Sequence, residues 1–405
     1  MFPKRLLLRR ALLPIALALM ALAITRIHGQ YCLPIFSGAG ADAMAKLDPY
    51  LLREGRPDFF KYGPIWAFLL TPIASLHAGL PRPVLEALWC FINLACFFIS
   101  IQILSDLAAM AFSCSEASRA HLSQARRFAL LAILTPLALS NAFYGQINSV
   151  LLALLVLFFR GSTAQARTHE AFWGGFSLGL AIWMKVFPII FLAFVFLPLF
   201  DFKILRKRLL LLGLFSATIL GLIIPVLIWK ASTPAIFEAW LQVLSRDLSH
   251  PHLKVGLASI LSTLVGNFRP NWLAFAQLLF FGGILTRVAL SVGIFRHQSS
   301  SDTLQAQLIQ QTLLLAGSLL LSHMTEPPTM ALLAPAALVL VWLGHSLDTW
   351  ILLGGITLLP SDLVPSSIKE AIGGQYLIKS LILAYVVTRL LVLEFRPRAQ
   401  LRRPS

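Results

Sequence analysis

Charged residues are scarce in this sequence. They make up 12% of the 405 residues, about half of the roughly 25% found in an average soluble domain. Hydrophobic residues make up 58%. This composition excludes an ordinary soluble protein and predicts an integral membrane protein that crosses the bilayer many times. The crossings are expected to be helices, because a helix satisfies its own backbone groups and the apolar segments lack the alternating pattern of a membrane barrel.

Acidic residues and cysteines are also few. The chain has 17 Asp and Glu residues against 33 Lys and Arg residues, and only four cysteines. The cysteines have no spacing typical of a metal or redox site, so we expect no metal and no cofactor. The basic residues lie in clusters beside apolar segments, near residues 4–10, 203–208 and 396–403. This distribution follows the positive-inside rule, and it predicts contact with membrane lipids rather than with nucleic acid.

The apolar segments predict an all-α polytopic membrane protein with about twelve transmembrane helices. A crossing needs about 20 apolar residues. We expect a single integral membrane domain over residues 1–405, which begins with an uncleaved helix. The predicted crossings are 7–25, 64–80, 84–105, 128–143, 147–160, 172–199, 209–229, 271–295, 307–321, 328–344, 346–360 and 373–393.

The basic clusters also predict which side each loop faces. We expect the protein in the inner or plasma membrane of a cell, with both termini in the cytoplasm and residues 26–66 as the first outer, periplasmic loop. The basic segment Ser113–Arg127 then falls outside, against the rule. Either it is a tolerated exception, or one segment between residues 64 and 143 enters the membrane and returns to the same side.

The first outer loop is expected to carry the active site, because so long a loop is rarely a plain connection. Its small-residue segment 37–47 predicts a helix, Asp48-Pro49 predicts a turn, and Pro64 is typical of a first helical turn. Any single acid of the loop could instead be a solvated surface group. The four acids are Asp42, Asp48, Glu54 and Asp58.

Polar residues interrupt the apolar segments at two further places. Tyr144, Gln146 and Asn148 lie between two apolar runs, where they could bind sugar hydroxyls or cap helix ends. Lys185 lies deep in the apolar run 172–199. A charge there is costly, so we expect Lys185 to face a cavity or an anion. Pro188, three residues further on, lets the helix break there.

Other candidate residues lie at the predicted outer surface. Lys61 and Tyr62 stand where the chain re-enters the membrane, a position that also suits plain interfacial anchors. His252, His323 and Glu326 lie in later outer loops. They could bind a phosphate or an acceptor, or could belong to ordinary polar turns.

In order and spacing, these motifs resemble glycosyltransferase family 87, the polyprenol-phosphate-mannose-dependent membrane transferases of the GT-C class. The resemblance implies a GT-C-like helical bundle with its active site at the outer face. It implies a polyprenyl-phosphate sugar donor, usually a mannosyl one, a lipid or glycan acceptor, and inversion at the anomeric carbon. The matching stretches are Asp48-Pro49-Tyr50, Phe60-Lys61-Tyr62-Gly63-Pro64, Tyr144-Gly145-Gln146-Ile147-Asn148, and Gly175 to Pro188 with Lys185.

The resemblance also implies roles for single residues. In such enzymes an Asp of the first loop is the general base, and basic residues neutralise the leaving phosphate. The family's Asp closely follows the first span, but the matching stretch here, from Gln30 to Phe36, has no acid. We therefore predict Asp42 as the base, with Asp48 second and Asp58 third. The predicted substrate-binding residues are Lys61, Tyr62, Tyr144, Gln146, Asn148, Lys185, His252, His323 and Glu326.

Two other kinds of function remain open. A membrane transporter or lipid-linked sugar flippase would explain Lys185 and the charges of Glu86, Asp106 and Arg287 within predicted spans. It explains the long first loop poorly, and no clear internal repeat suggests duplicated transporter halves. A non-catalytic membrane scaffold is favoured only by the missing early Asp. Sugar transfer from a polyprenyl-phosphate donor would separate the enzyme from both alternatives.

Overall fold

The computed structural model describes an all-helical chain, with no strand among the residues it covers. These residues are 4–27, 29–112, 124–163, 165–196, 204–246, 255–257, 260, 279–283, 286, 300–322, 325, 327–343, 346–357 and 374–395. The all-α class predicted from the sequence is confirmed. The α-helices are α1 Lys4–Ile27, α2 Leu33–Met44, α3 Pro64–Leu69, α4 Thr71–Gly79, α5 Arg82–Phe112, α6 Gln124–Tyr144, α7 Asn148–Gly161, α8 Thr168–Met184, α9 Leu192–Phe196, α10 Ile204–Trp229, α11 Thr233–Arg246, α12 Ser300–Leu321, α13 Ala334–Leu343, α14 Ser346–Leu352 and α15 Gly374–Phe395.

Four described segments are long and apolar enough to cross a membrane. They are Arg82–Phe112, Arg126–Tyr144, Leu205–Ser245 and Thr303–Leu321. Shorter apolar helices, such as Asn148–Gly161 in α7, accompany them. This pattern fits an all-α membrane protein. The number of about twelve crossings stays a prediction, since several predicted spans include residues outside the described ranges.

The segment 64–80 does not cross the membrane. Just before α3, the Tyr62 hydroxyl lies 3.4 Å from Oε1 of Gln146. Just after α4, in α5, Trp89 Nε1 donates to the carbonyl of Gly145 at 2.7 Å. Both ends of the segment therefore reach the same turn. The crossing predicted for 64–80 is wrong, and the alternative of a returning segment between residues 64 and 143 is confirmed.

A short local sequence explains this return. The six residues of α3 and the nine of α4 are each too short for a bilayer that needs about 20. The two helices meet at Leu70, and Pro72 stands in the first turn of α4, where its missing N–H is tolerated. As predicted, Pro64 begins α3. We call the side of the molecule that carries Gly63 and Gly145 the loop face.

The chain also reverses within the predicted span 172–199. α8 and α10 pack with residues paired in the same order along both helices, so the two run parallel. Two consecutive parallel helices need a returning connection, and residues 185–196 begin that return toward the opposite face. The prediction of a single crossing here is wrong. The closest approaches are Gly175 with Leu210, Gly179 with Ala217, and Trp183 with Gly221.

Lys185 marks the point of reversal. α8 ends at Met184, and Lys185 has an extended backbone with φ −141° and ψ 133°. Pro188 lies in the first turn of the 3₁₀ helix Phe187–Phe191. The ring of Phe191 then packs 5.5 Å from that of Phe159, near the far end of α7. The helix break that the sequence predicts at Pro188 is confirmed, and it leaves Lys185 at the loop face.

Basic residues gather at the face opposite the loop face. Since α5 starts at the loop face and α6 ends there, Arg126 and Arg127 at the start of α6 lie opposite it. Arg160 pairs there with Glu170 at 3.2 Å, between α7 and α8. Because α10 packs parallel to α8, Arg206 near the start of α10 lies on the same face as Arg160. Arg126 and Arg127 thus share one face with Arg160 and Arg206.

Candidate active site

The turn between α6 and α7 is the centre of the loop face. Gly145 has φ +64°, a conformation that favours glycine, and a Cβ there would meet the side chain of Gln30 at 3.0 Å. The carbonyl of Tyr144 accepts the N–H of Cys32 at 2.9 Å. Together with the Trp89 bond to Gly145, these contacts fix the turn against the first loop and α5.

A network of buried side-chain hydrogen bonds supports the turn between α6 and α7. Asn141 is fully buried, and its Nδ2 lies 3.0 Å from Oδ1 of Asn93, 2.9 Å from the carbonyl of Gln146 and 2.8 Å from Oγ of Ser149. Buried polar groups that find partners rigidify their surroundings, because leaving them unpaired costs free energy. The network therefore sets the position at which α7 begins.

Lys185 reaches this turn. Its Nζ donates to Oδ1 of Asn148 at 2.9 Å. Asn148 is fully buried, and its Nδ2 has no hydrogen-bond partner in the described part of the chain. Asn148 is also the first residue of α7, where N–H groups have no partner within the helix and the helix dipole is positive. An ammonium, an unpaired amide N–H and a helix N-terminus thus meet at one place, an arrangement that suits an anion.

Gln30 is a residue that sequence reasoning missed. It is 1% exposed, and its Nε2 donates to the carbonyl of Ala142 at 3.2 Å. Its Oε1 is buried without a hydrogen bond among the described residues. The one signal in the sequence was its place at the start of the stretch where the family carries an acid. A neutral amide at the end of a span does not otherwise draw attention.

Glu86 lies close to Gly29, the residue before Gln30. Its side chain is 7% exposed, and Oε1 is 2.9 Å from Nε of Arg82. A Cβ on Gly29 would come within 3.9 Å of the same Oε1. The carboxylate therefore sits at the loop-face end of α5 rather than midway along a span.

Asp42 lies in a separate cluster inside the first loop. As predicted, small residues of the loop form a helix, α2, and Asp42 on it is 5% exposed. Its Oδ2 is 2.5 Å from Nη2 of Arg56, and its Oδ1 is 3.3 Å from Nε of Arg53. The same Nη2 of Arg56 donates to the carbonyl of Gly38 at 2.8 Å. Both carboxylate oxygens are thus held by cations.

Asp48 forms the predicted turn. The N–H of Tyr50 donates to Oδ1 of Asp48 at 2.8 Å, and the Tyr50 hydroxyl donates to the carbonyl of Tyr62 at 2.8 Å. Burial raises the pKa of Tyr50 well above its usual value of 10.0, and the charge of Asp48 adds to the rise. The Tyr50 hydroxyl therefore stays neutral. Its hydrogen bond to the Tyr62 carbonyl ties the turn to the residues just before α3.

The predicted site residues thus fall into three groups. The turn between α6 and α7 brings together Tyr62, Tyr144, Gln146, Asn148 and Lys185. Asp42, Asp48 and Lys61 lie in the first loop, where Lys61 pairs with Asp58 at 2.9 Å. His252, His323 and Glu326 lie outside the described residues. Within the described ranges, no group of three His, Cys, Asp or Glu residues is arranged to hold a metal ion.

Comparison with known proteins gives one match. The family model of glycosyltransferase family 87 matches residues 59–322, about two thirds of the chain. The matched range contains Tyr62, the turn from Tyr144 to Asn148 and Lys185, and it begins after Asp42 and Asp48. No curated protein and no solved structure matches the sequence. The chain belongs to glycosyltransferase family 87.

Proposed function

We propose that this glycosyltransferase moves a hexose, in the first instance mannose, from a polyprenyl-phosphate donor to a lipid or glycan acceptor at the outer face of the membrane. The observation that carries the proposal is the meeting of Lys185, Asn148 and the N-terminus of α7 at the loop face. A lipid-borne sugar donor has to present its phosphate at the membrane surface, and this arrangement at the loop face suits an anion.

The chemistry of the leaving group gives each of these residues a role. In an inverting transfer, the bond between the anomeric carbon and the phosphate oxygen breaks while the acceptor oxygen attacks from the opposite side. Negative charge then grows on the polyprenyl phosphate. Lys185 Nζ and Asn148 Nδ2 stabilise that charge through charge-assisted hydrogen bonds, and the dipole of α7 adds to them. Tyr62 and Gln146 are placed beside them to bond sugar hydroxyls.

The acceptor hydroxyl has to lose a proton during the attack. We propose Asp42 as the group that takes it, with Asp48 as the second candidate. A free carboxylate oxygen is needed for this role. Of the two cations that hold Asp42, Arg53 is the looser, since its Nε lies 3.3 Å away and makes no hydrogen bond among the described residues. Its departure would free Oδ1, while Arg56 keeps Oδ2.

The same proposal assigns the faces of the molecule. The loop face is the outer, periplasmic face of the inner or plasma membrane, and both termini are cytoplasmic. Support comes from the basic residues opposite the loop face, among them Arg126, Arg160 and Arg206, since cytoplasmic loops carry an excess of Lys and Arg.

Transfer can be measured directly. The full chain is purified, reconstituted in liposomes and given polyprenyl-phosphate mannose with a tritium-labelled sugar, together with a lipid or glycan extract. We expect label to move into the acceptor fraction and free polyprenyl phosphate to appear in equal amount. Polyprenyl-phosphate glucose serves as the competing donor. Transfer from neither donor, or transfer from a nucleotide sugar instead, would contradict the proposal.

A transporter or flippase receives less support. Of the charges that suggested it, Glu86 lies in the first turns of α5 and pairs with Arg82. Asp106 is exposed near the other end of that helix, and Arg287 lies outside the described residues. Charges at the two ends of a helix suit the membrane surface rather than a path through it. In the same liposomes, movement of the donor lipid between leaflets without sugar transfer would favour this alternative.

A further inference from the structure

An open cavity lies in the first loop, apart from the turn between α6 and α7. It has a volume of about 400 Å³ and lies between α2, the turn 53–56 and α4. Its polar lining includes Ser37, Arg53, Glu54, Arg56 and His77, and its apolar lining includes Pro34, Ala41 and Ala78. We call it the first-loop pocket. Its volume is within the range of small-ligand sites, and it is broadly open to the surroundings.

The first-loop pocket and the Lys185 cluster lie on different faces of α2. Phe36 points away from the pocket, since its ring packs 5.6 Å from that of Tyr62 and 5.5 Å from that of Trp89. The pocket side of α2 is formed by Pro34, Ser37, Gly38 and Ala41, which share one face at helical spacing. A ligand in the pocket is therefore separate from a phosphate at Lys185.

The charges around the pocket decide which ligand it suits. Arg56 is taken up by Asp42 and by the carbonyl of Gly38. Arg53 is partly exposed, with 38% of its side chain accessible. Glu54 is exposed and has no ion pair in the described part of the chain. The charges of Asp42, Arg53, Glu54 and Arg56 cancel, so the pocket has no net positive field to hold a lone phosphate.

The pocket offers both donors and acceptors. Arg53 can only donate hydrogen bonds, Glu54 can only accept them, and the Ser37 hydroxyl and the His77 ring can do both. His77 Nδ1 lies 3.0 Å from Oγ of Ser37, so these two groups are already positioned relative to each other. A hydroxyl group donates and accepts at once. A ligand with several neighbouring hydroxyls therefore matches the lining better than an anion does.

We propose that the first-loop pocket binds a neutral saccharide unit of the acceptor. This inference rests on the proposed function and names the acceptor class as a glycan. The pocket begins at Pro34, two residues from Cys32, whose N–H bonds the carbonyl of Tyr144 in the central turn. A sugar held in the pocket thus leaves the next unit of its chain near the start of α2, toward the donor. Binding energy from such a remote unit helps to orient the reacting one.

Arg53 links the pocket to the proposed base. It is the one pocket residue that also touches Oδ1 of Asp42. When Arg53 turns to donate to a sugar hydroxyl, Oδ1 loses its partner and becomes available. The rotation of Arg53 that lets a sugar bind in the pocket is then also the rotation that frees Oδ1 of Asp42.

Binding to the full chain in detergent tests the proposal without any transfer reaction. The probes are α-linked mannobiose, maltose and cellobiose, with inorganic phosphate as the anionic competitor, measured by saturation-transfer NMR up to about 10 mM, a range that detects affinities near 1 mM. We expect at least one disaccharide to bind saturably and phosphate not to displace it. Glu54→Ala and the pocket-filling Ala78→Leu should weaken binding at least about tenfold, while Glu238→Ala, an exposed acid on α11, should leave it unchanged.

Three results would overturn the pocket assignment: no disaccharide binds, phosphate binds in place of the sugars, or Glu54→Ala and Ala78→Leu bind like the parent chain. Because Glu54 has no ion pair to lose among the described residues, its variant separates binding from folding. If the disaccharides bind but no transfer is seen, the saccharide site is supported and the proposed transfer reaction is rejected. If transfer is seen but no disaccharide binds, the transfer reaction is supported and the saccharide site is rejected.

Discussion

Two polar clusters flank α2, and they differ in what their atoms can still bind. In the Asp42 cluster every carboxylate oxygen has a cationic partner, Arg53 or Arg56. In the Lys185 cluster, Nδ2 of Asn148 is buried and has no partner among the described residues. A closed ion pair holds a loop together, whereas an unpaired buried donor is costly and suggests a ligand. The comparison teaches that the acid most visible in the sequence, Asp42, is already paired and needs Arg53 to move before it can react. Asn148 and Lys185 instead offer a buried, unpaired donor beside a cation without any rearrangement.

Breaking the Asp42 cluster should have the largest effect on stability. Asp42→Asn leaves Arg56 buried without its counter-charge, because the side chains of Asp42 and Arg56 are only 7% and 8% exposed. Loss of one partner from a buried pair costs about 3–5 kcal/mol. We expect the free energy of unfolding of the full chain in detergent to fall by that amount.

Asp58→Asn is the matched control in the same loop. Asp58 pairs with Lys61, but their side chains are 36% and 22% exposed, so the loss should stay below about 1 kcal/mol. Equal losses in the two variants would show that the Asp42 pair is not buried as described. If Asp42 is also the base, transfer by the folded fraction should fall a further 10²–10⁴-fold, roughly the usual contribution of a general base.

Lys185→Met should have the next largest effect, chiefly on activity. The lost bond to the buried Oδ1 of Asn148 should lower the free energy of unfolding by about 1–3 kcal/mol. Met keeps the length and apolar character of the side chain but cannot stabilise the leaving phosphate. Removing one preorganised donor to a developing charge typically lowers kcat by about 10²–10³-fold. The measurement is transfer by liposomes that carry equal amounts of folded protein, and Lys207→Met on the opposite face should transfer at the parental rate.

Asn148→Asp tests whether the Lys185 cluster binds the donor phosphate. The new carboxylate would hold Lys185 in place but neutralise its charge and repel a phosphate. We expect the KM for the donor to rise about tenfold, equivalent to about 1.4 kcal/mol, with little change in stability. An unchanged KM in Asn148→Asp, together with full activity in Lys185→Met, would return both residues to a structural role.

The smallest predicted effect concerns Tyr50 and pH. The folded chain raises the pKa of Tyr50 well above 10.0, while the unfolded chain ionises near its usual value. The stability that this tyrosine contributes is therefore fully present below about pH 10 and is lost as the pH rises further. Tyr50→Phe should cost about 1 kcal/mol for the lost bond to the Tyr62 carbonyl. It should also flatten the decline of stability above pH 10, and an equally steep decline in the variant would contradict the assignment.

Local chemistry made much of the fold predictable. Proline rules gave the start of α3 at Pro64 and the break before Pro188, and the Asp48-Pro49 pair gave the turn that Tyr50 completes. The returning segment 64–80 was not predictable from composition, because an apolar run looks the same whether it crosses or turns back. Only the contacts of Tyr62 and Trp89 with one turn decide between the two. The reversal at Lys185 was hidden in the same way by the continuous apolar run 172–199.

The site was predictable as a set of residues but not as a set of contacts. Lys185 and Asn148 stood out singly, yet their hydrogen bond joins positions 37 residues apart, and spacing gives no hint of it. Spacing likewise gives no hint that α2 presents Asp42 to Arg56, 14 residues further on. Gln30 escaped notice because a buried amide carries no charge to mark it.

A structure of the full chain with a polyprenyl-phosphate lipid bound would test the central claim most directly. Electron cryo-microscopy in a lipid nanodisc at side-chain resolution would locate the phosphate. The account predicts the phosphate at the loop face, within hydrogen-bond distance of Nζ of Lys185 and Nδ2 of Asn148, at the first turn of α7. A phosphate bound instead to Arg53 in the first-loop pocket, or at the face that carries Arg126 and Arg160, would contradict it.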